Sequence, residues 1–198
     1  MNFNADFQHD FEWLGKRLRV GMIGPHARAK ISEGIKWMSK ETIRHRFFGI
    51  KNGFTDRELK HLTEIDGVNH FAIGIVEAWE NERGIAILRM VRDDQQKDEA
   101  EVALLIIDAY QRKGLGTLLM NLCVVAAAER GIQVLRFTYL PDNHAIAGLI
   151  RRFGGSMPEV LASDYVQMRM QLTDEGLARA RSALQRDVGL ATSAHRGP

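Results

Sequence analysis

Gln111-Arg112-Lys113-Gly114-Leu115-Gly116-Thr117 follows an apolar run, Val102-Ala103-Leu104-Leu105-Ile106-Ile107. It opens a segment that sets Leu115, Leu118, Leu119, Leu122 and Val125 on one helical face. The order is strand, glycine-rich turn, helix start. Such a turn aims several backbone N–H groups at one spot, with the positive end of the helix dipole behind them, and so suits a pyrophosphate. Gly114 and Gly116 allow close approach to the backbone, and Arg112 and Lys113 add positive charge. The competing reading is a structural turn with no ligand. A dinucleotide fingerprint needs a third glycine where Leu119 stands, and a Walker A loop needs Gly-Lys-Ser/Thr, which this chain lacks.

Composition narrows the function. At 198 residues and 45% hydrophobic content, the chain is expected to form one domain over residues 1–188 with a substantial core. A formal charge of +2 without a Lys/Arg block argues against nucleic acid. The longest nearly apolar run, Leu118 to Ala128, is too short for a membrane span. The start Met-Asn-Phe-Asn-Ala-Asp lacks signal-peptide character, so the cytoplasm is the expected compartment. Cys123 is the single cysteine and reads as an inert buried thiol. Seven scattered histidines show no ligand spacing, and no metal is expected.

The remaining elements follow from periodicity. Phe3, Phe7, Phe11 and Leu14 predict an amphipathic helix over 1–14, packed on its own domain or, alternatively, on a second subunit. Leu18 to Ile23 reads as a strand ended by Gly24-Pro25, and Ile31, Ile35 and Met38 as a helix. Ser39 caps a helix toward Phe47-Phe48, and Thr55-Asp56-Arg57-Glu58 is a capping box. Phe71 to Trp79 and Gly84 to Val91 form a hairpin through Asn81-Glu82-Arg83, and the charged loop Arg92 to Asp98 leads into the strand ending at Ile107. Gly131 closes the long helix before a strand from Val134 to Leu140. Pro141-Asp142-Asn143 starts a helix closed by Gly154-Gly155. Tyr165 to Leu172 alternates with Val166, Met168, Met170 and Leu172 inward, and a last helix covers 173–188 before a frayed tail, 189–198.

The pattern Gln-x-x-Gly-x-Gly after a strand resembles the coenzyme A motif of GNAT-superfamily N-acetyltransferases. Ser39-Lys40-Glu41-Thr42 with Arg46-Phe47-Phe48, Asp66 with His70-Phe71-Ala72, and Ala100-Glu101-Val102-Ala103 resemble its bacterial protein-lysine acetyltransferase (Pat-type) branch. The resemblance implies a mixed α/β GNAT fold: a largely antiparallel twisted sheet flanked by helices, with one parallel β-α-β unit at the acyl-CoA site. It implies acetyl-CoA as co-substrate, held by Gln111, Arg112, Lys113, Gly114, Leu115, Gly116 and Thr117. An oxyanion-binding amide is expected near Ile106 or Ile107, and Asn143 on the pantetheine arm or capping its helix.

An ordinary lysine, with a pKa of about 10.4, must lose a proton before it attacks a thioester. The resemblance puts that base at Glu101; the alternative is an exposed strand residue, like Glu99. Many GNAT enzymes carry a Tyr as general acid where this chain has Ile150, so the thiolate leaves unassisted or Tyr139 or Tyr165 substitutes. The implied activity is acetyl transfer to a protein lysine by a monomer or homodimer. Its rivals are a small-amine acetyltransferase, for which Asp93, Asp94, Asp98 and Glu99 would attract the cation, and a non-catalytic CoA-binding module.

Overall fold

The computed structural model describes residues 3–78, 82–161 and 164–190. Its first element departs from the expectation. Gln8–Trp13 is a strand, β1, paired antiparallel with β2, Lys16–Met22. The two residues between them, Leu14 and Gly15, have φ of 51° and 73°, the left-handed pair that a two-residue hairpin demands. Phe7 and Phe11 lie four residues apart, which suits two pleats as well as one helical turn. The alternation decides it: His9, Phe11 and Trp13 turn inward while Gln8, Asp10 and Glu12 are exposed. The predicted helix over 1–14 is therefore a hairpin strand.

A short 3-10 turn leads into α1, Arg28–Gly34, which tightens to 3-10 over Ile35–Trp37 and ends with Met38 extended. The Ser39 hydroxyl then caps α2, Lys40–Phe47, by accepting the Thr42 amide. The capping box of Thr55 and Glu58 starts α3, Asp56–Thr63, as its spacing predicts. Strands β3, His70–Glu77, and β4, Gly84–Arg92, form the next hairpin; Trp79 and Asn81 lie outside the described residues. β5, Glu99–Ile106, α4, Leu115–Glu129, and β6, Val134–Tyr139, make the β-α-β unit. α5, His144–Arg152, a two-residue strand β7, Glu159–Val160, β8, Val166–Gln171, and α6, Asp174–Val188, complete the chain. Both residues of β7 are exposed, so no hydrophobic alternation announces it. Of the expected tail, Gly189 caps α6 and Leu190 is buried; 191–198 lie outside the described residues.

Among the described residues one eight-stranded sheet runs in the order β1-β2-β3-β4-β5-β6-β8-β7. Every neighbour is antiparallel except β5 and β6, which pair only from Glu99–Glu101 to Val134–Arg136. One face of the sheet is covered by α1 to α3. The other carries α4, which is buried on nearly all sides because α6 packs against it. That broad burial exceeds the single apolar face read from the sequence. Cys123, fully buried in α4, has its thiol pushed up to about 12, so it stays protonated.

An ionic cluster around the buried Glu99 pins the parallel pair. Glu99, 6% exposed, receives Arg169 from β8 and Arg136 from β6. Arg136 also holds Asp93, whose carboxyl is lowered to about 2 by the Gln96 and Gln95 amides and by Arg136. Glu99→Gln is expected to cost about 2–4 kcal/mol of unfolding free energy, since it leaves two guanidiniums without their shared carboxylate. Urea denaturation checks it.

Candidate active site

After β5 the chain makes one 3-10 turn, Asp108–Tyr110, and reaches the loop that precedes α4. Arg112 and Gly114 take φ of 56° and 86°. This curls the loop so that the amides of residues 112–116 find no acceptor among the described residues, while Thr117 and Leu118 bond back to the Gly114 carbonyl. Five free N–H groups at the N-terminus of a 15-residue helix make an anion cradle.

Its shape is set from behind. The Trp13 indole N–H donates to the Lys113 carbonyl (3.0 Å), and a Cβ on Gly114 would lie 2.9 Å from the Trp13 ring. A Cβ on Gly116 would stand 3.3 Å from Leu149. The Gln111 amide donates to the Ile106 carbonyl and to the Thr42 hydroxyl, both at 2.9 Å, so it braces the loop. Leu115 is buried in the core and Lys113 bonds the Ala109 carbonyl. Arg112, Gly114, Gly116 and Thr117 line the cleft beside them.

That cleft encloses about 720 Å³ between α2, the end of β5 and the start of α5. The backbone of β5 explains why it opens here. Ile107 N–H donates to the Ile85 carbonyl, and at the strand's other end Asp93 N–H donates to Glu99. Odd-numbered residues of β5 thus bond β4, and the amides of Leu104 and Ile106 face the other way. Beyond Glu101 there is no β6 to receive them. Ile107 is corrected accordingly: its amide is spent in the sheet and its side chain is buried. Ile106 keeps a free donor, and Leu104, which sequence reasoning missed, supplies a second.

Other residues were also missed. Asp108 accepts from the Ser39 amide (2.8 Å) and the Thr42 hydroxyl (3.1 Å), fastening α2 to the loop. Burial would raise the Asp108 carboxyl, but the bonds from Ser39 and Thr42 outweigh it and hold it below the usual range. Across the cleft, Arg44 and His45 both reach Asp142. Asn143 caps α5 by accepting the Ile146 amide (3.2 Å) and also lines the cleft. Ser39 was legible as a helix cap and within the segment that resembles the Pat-type branch, and Asp142 as part of a helix start, while Asp108 carried no spacing signal.

Glu101 is exposed, in contrast to buried Glu99 on the same face of β5. It lies four residues, about 13 Å along the strand, from Leu105 at the cleft wall, and outside the cleft lining. Ile150 is fully buried. Tyr139 is buried, which raises its phenol, and Tyr165 packs edge-on against Phe48 at 5.0 Å; neither lines the cleft. Near Glu101 the face turns cationic. Arg89, buried between β3 and β5, contacts His70, and burial, the Arg89 charge and His61 together lower His70 to about 4.

The sequence profile of the Acetyltransferase (GNAT) family matches residues 37–154, the span from α2 through the cradle to the end of α5. The chain belongs to the GNAT family. Its members are acyl-CoA-dependent N-acyltransferases. Acetyltransferase Pat of Mycolicibacterium smegmatis is 33% identical over 121 residues, 59% of this chain and 34% of that protein. The chain thus spans about a third of the length of that curated relative. The GNAT domain of S. lividans PAT superposes with a TM-score of 0.76 at 23% identity, covering 86% of this chain and 100% of that one. The yncA protein of Salmonella typhimurium, solved with its cofactor acetyl-CoA, gives 0.62 at 19% identity over 79% of this chain and 95% of its own. Among the described residues no helix is long and apolar enough to cross a membrane.

Two expectations follow for this GNAT domain. Gly114→Val would force a left-handed φ on a branched residue and drive it into Trp13, so CoA affinity should fall about tenfold or more, about 1.4 kcal/mol, by calorimetry. His70 has a depressed pKa, so between about 6.5 and about 4 the unfolded chain binds a proton that the folded chain refuses. Stability should therefore fall as pH drops through that window, by about 1–3 kcal/mol, and His70→Gln should flatten the melting temperature against pH.

Proposed function

We propose that this chain transfers the acetyl group of acetyl-CoA to the ε-amine of a protein lysine. The observation that carries the reading is the continuity of one cleft from the amide cradle to the gap beside β5, where Leu104 and Ile106 offer free N–H groups. The pyrophosphate rests on the amides of residues 112–116, with Arg112 at the rim. The pantetheine arm runs along β5 past Asn143 and brings the thioester carbonyl to the Ile106 amide.

The amine attacks that carbonyl, and the developing oxyanion takes the hydrogen bond that no strand claims. Glu101, reached through a chain of waters, removes the ammonium proton. The tetrahedral intermediate collapses by breaking the C–S bond. A thiolate whose conjugate acid ionises near 8.5 departs without a protonated Tyr, which fits the burial of Ile150 and Tyr139.

A protein acceptor is favoured over a polyamine by the charges already committed. Of the four acidic residues that would draw a small polycation, Asp93 and Glu99 are neutralised by Arg136 and Arg169 and Asp94 lies 3.7 Å from Lys97, which leaves Asp98. The cleft walls carry Arg46, Arg112 and Arg152 together with Glu41, Asp108 and Asp142; Asp108 is bonded to Ser39 and Thr42 and Asp142 to Arg44, which leaves Glu41 alone to draw a free polyamine. The likeness to Acetyltransferase Pat points the same way. Acting on cytoplasmic proteins is the setting this reading implies.

The test is Glu101→Gln. It should keep CoA affinity and melting temperature yet lose about 10²–10⁴-fold in turnover at neutral pH, with the deficit shrinking as pH rises and the amine deprotonates unaided. Near-normal turnover at neutral pH would place the base elsewhere. Acetyl transfer to whole-cell protein against a panel of small amines distinguishes the acceptors.

A further inference from the structure

Beside the cleft lies a second, smaller cavity of about 80 Å³, between the sheet face and α1 to α3. Its walls are mostly apolar: Ile23, Ile31, Phe54, Ile87 and Leu105 among them. Three cations also line it, Lys30, Arg46 and Arg89, and among its described wall residues there is no carboxylate. Lys30 is paired with Glu82. The two guanidiniums are not so paired. Arg89, 6% exposed, spends Nη1 on His70 and Nη2 on the Leu62 carbonyl (2.7 Å), and its buried Nε has no partner. Arg46 packs over the Phe47 ring at 5.2 Å and makes no hydrogen bond or ion pair with any described residue.

Two like charges in an apolar enclosure are costly unless an anion joins them. The crowding registers on Arg89: burial and then the Arg46 charge lower it to about 10, while burial lowers Arg46 and the Glu101 charge works against it. Arg46 and Leu105 are walls of both this cavity and the cofactor cleft. Leu105 stands between Leu104 and Ile106, whose amides face the gap, so a chain leaving a carbonyl held there passes Leu105 within one residue's span, about 3.3 Å.

We infer that the cavity is an acyl subsite for short dicarboxylic thioesters, in which Arg46 and Arg89 bind the terminal carboxylate of a succinyl-type group. The inference rests on the acyl-CoA reading of the cleft and names its donor. Two or three carbons between the thioester carbonyl and the carboxylate span Leu105, and the apolar walls receive the methylenes. Chemically the transfer is unchanged. The amine nitrogen bonds the thioester carbonyl, the C–S bond breaks, the thiolate takes its electron pair and a proton from the amine, and the distal carboxylate keeps its charge throughout. The product is an amide whose lysine has changed from cation to anion.

Calorimetric binding of succinyl-CoA, butyryl-CoA and acetyl-CoA to the whole chain, without acceptor, tests this. Succinyl-CoA and butyryl-CoA share a four-carbon chain and differ in the carboxylate. Succinyl-CoA should bind about tenfold tighter than butyryl-CoA, about 1.4 kcal/mol, and Arg46→Met should bring the ratio to about one. A side chain at buried Gly34, where a Cβ would meet nothing within 4 Å, grows into the cavity. Gly34→Val should therefore weaken succinyl-CoA about tenfold while leaving acetyl-CoA within about twofold, and a melting curve confirms that each variant is folded. Equal affinity for succinyl-CoA and butyryl-CoA, or a preference that survives Arg46→Met in folded protein, overturns the inference and leaves the transferase reading standing. Failure of all three thioesters to bind overturns that reading and the inference with it.

Discussion

Past Glu101, β5 keeps its ladder to β4 and loses the one to β6. The cleft depends on that parting. A backbone amide withdrawn from water and left without an acceptor costs about 1–3 kcal/mol, so strands part inside a sheet only where something fixes them on both sides of the gap. On one side the Glu99–Arg136–Arg169 cluster clamps the short parallel stretch. On the other, Gln111 turns back to occupy the Ile106 carbonyl, and Asp108 ties the turn to α2. The donors left over, Leu104 and Ile106, are placed by the fold before any ligand arrives. A preorganised donor of this kind need not reorient as charge develops.

The same economy runs through the cradle. Gly114 is a helix N-cap without a capping side chain, an arrangement that wastes the cap unless an anion supplies it. The strand β1, whose existence the sequence hides, supplies the support: Trp13 fills the space behind Gly114 and holds the Lys113 carbonyl. The N-terminal hairpin therefore shapes the amide cradle although no residue of it lines the cleft. Its docking explains why the loop can hold Arg112 in a left-handed conformation that a non-glycine residue seldom takes.

Legibility followed the range of the signal. Motifs written within a few residues were read correctly from sequence: the glycine turn, the capping box at Thr55, the alternation from Val166. Phe3, Phe7 and Phe11 misled because their spacing satisfies both periods, and the tie is broken by the alternation of His9, Phe11 and Trp13 and by the left-handed turn at Leu14-Gly15. The burial of α4 on both sides was not legible, since α6 arrives from more than forty residues away in sequence and no local pattern announces it. The side-chain bonds that hold the cleft, Asp108 to Ser39 and Arg44 to Asp142, join residues about 70 and 98 apart. The exhaustion of the Ile107 amide is a matter of strand register, which a single sequence does not encode.

Glu99 and Glu101 show how far residue type alone can carry a site assignment. They are the same residue, on the same strand and the same face, two positions apart. Register separates them. Arg136 stands opposite Glu101 in the parallel pair, yet its guanidinium turns to Asp93 and Glu99. Glu99 therefore is committed to the ion pairs of the clamp. Glu101 is left exposed, with no hydrogen-bonded partner among the described residues, and only its charge acts on Arg46. A general base needs that freedom, because a carboxylate already saturated with donors gains nothing by taking a proton. The clamp beside the gap in the sheet thus also decides which of the two carboxylates stays exposed.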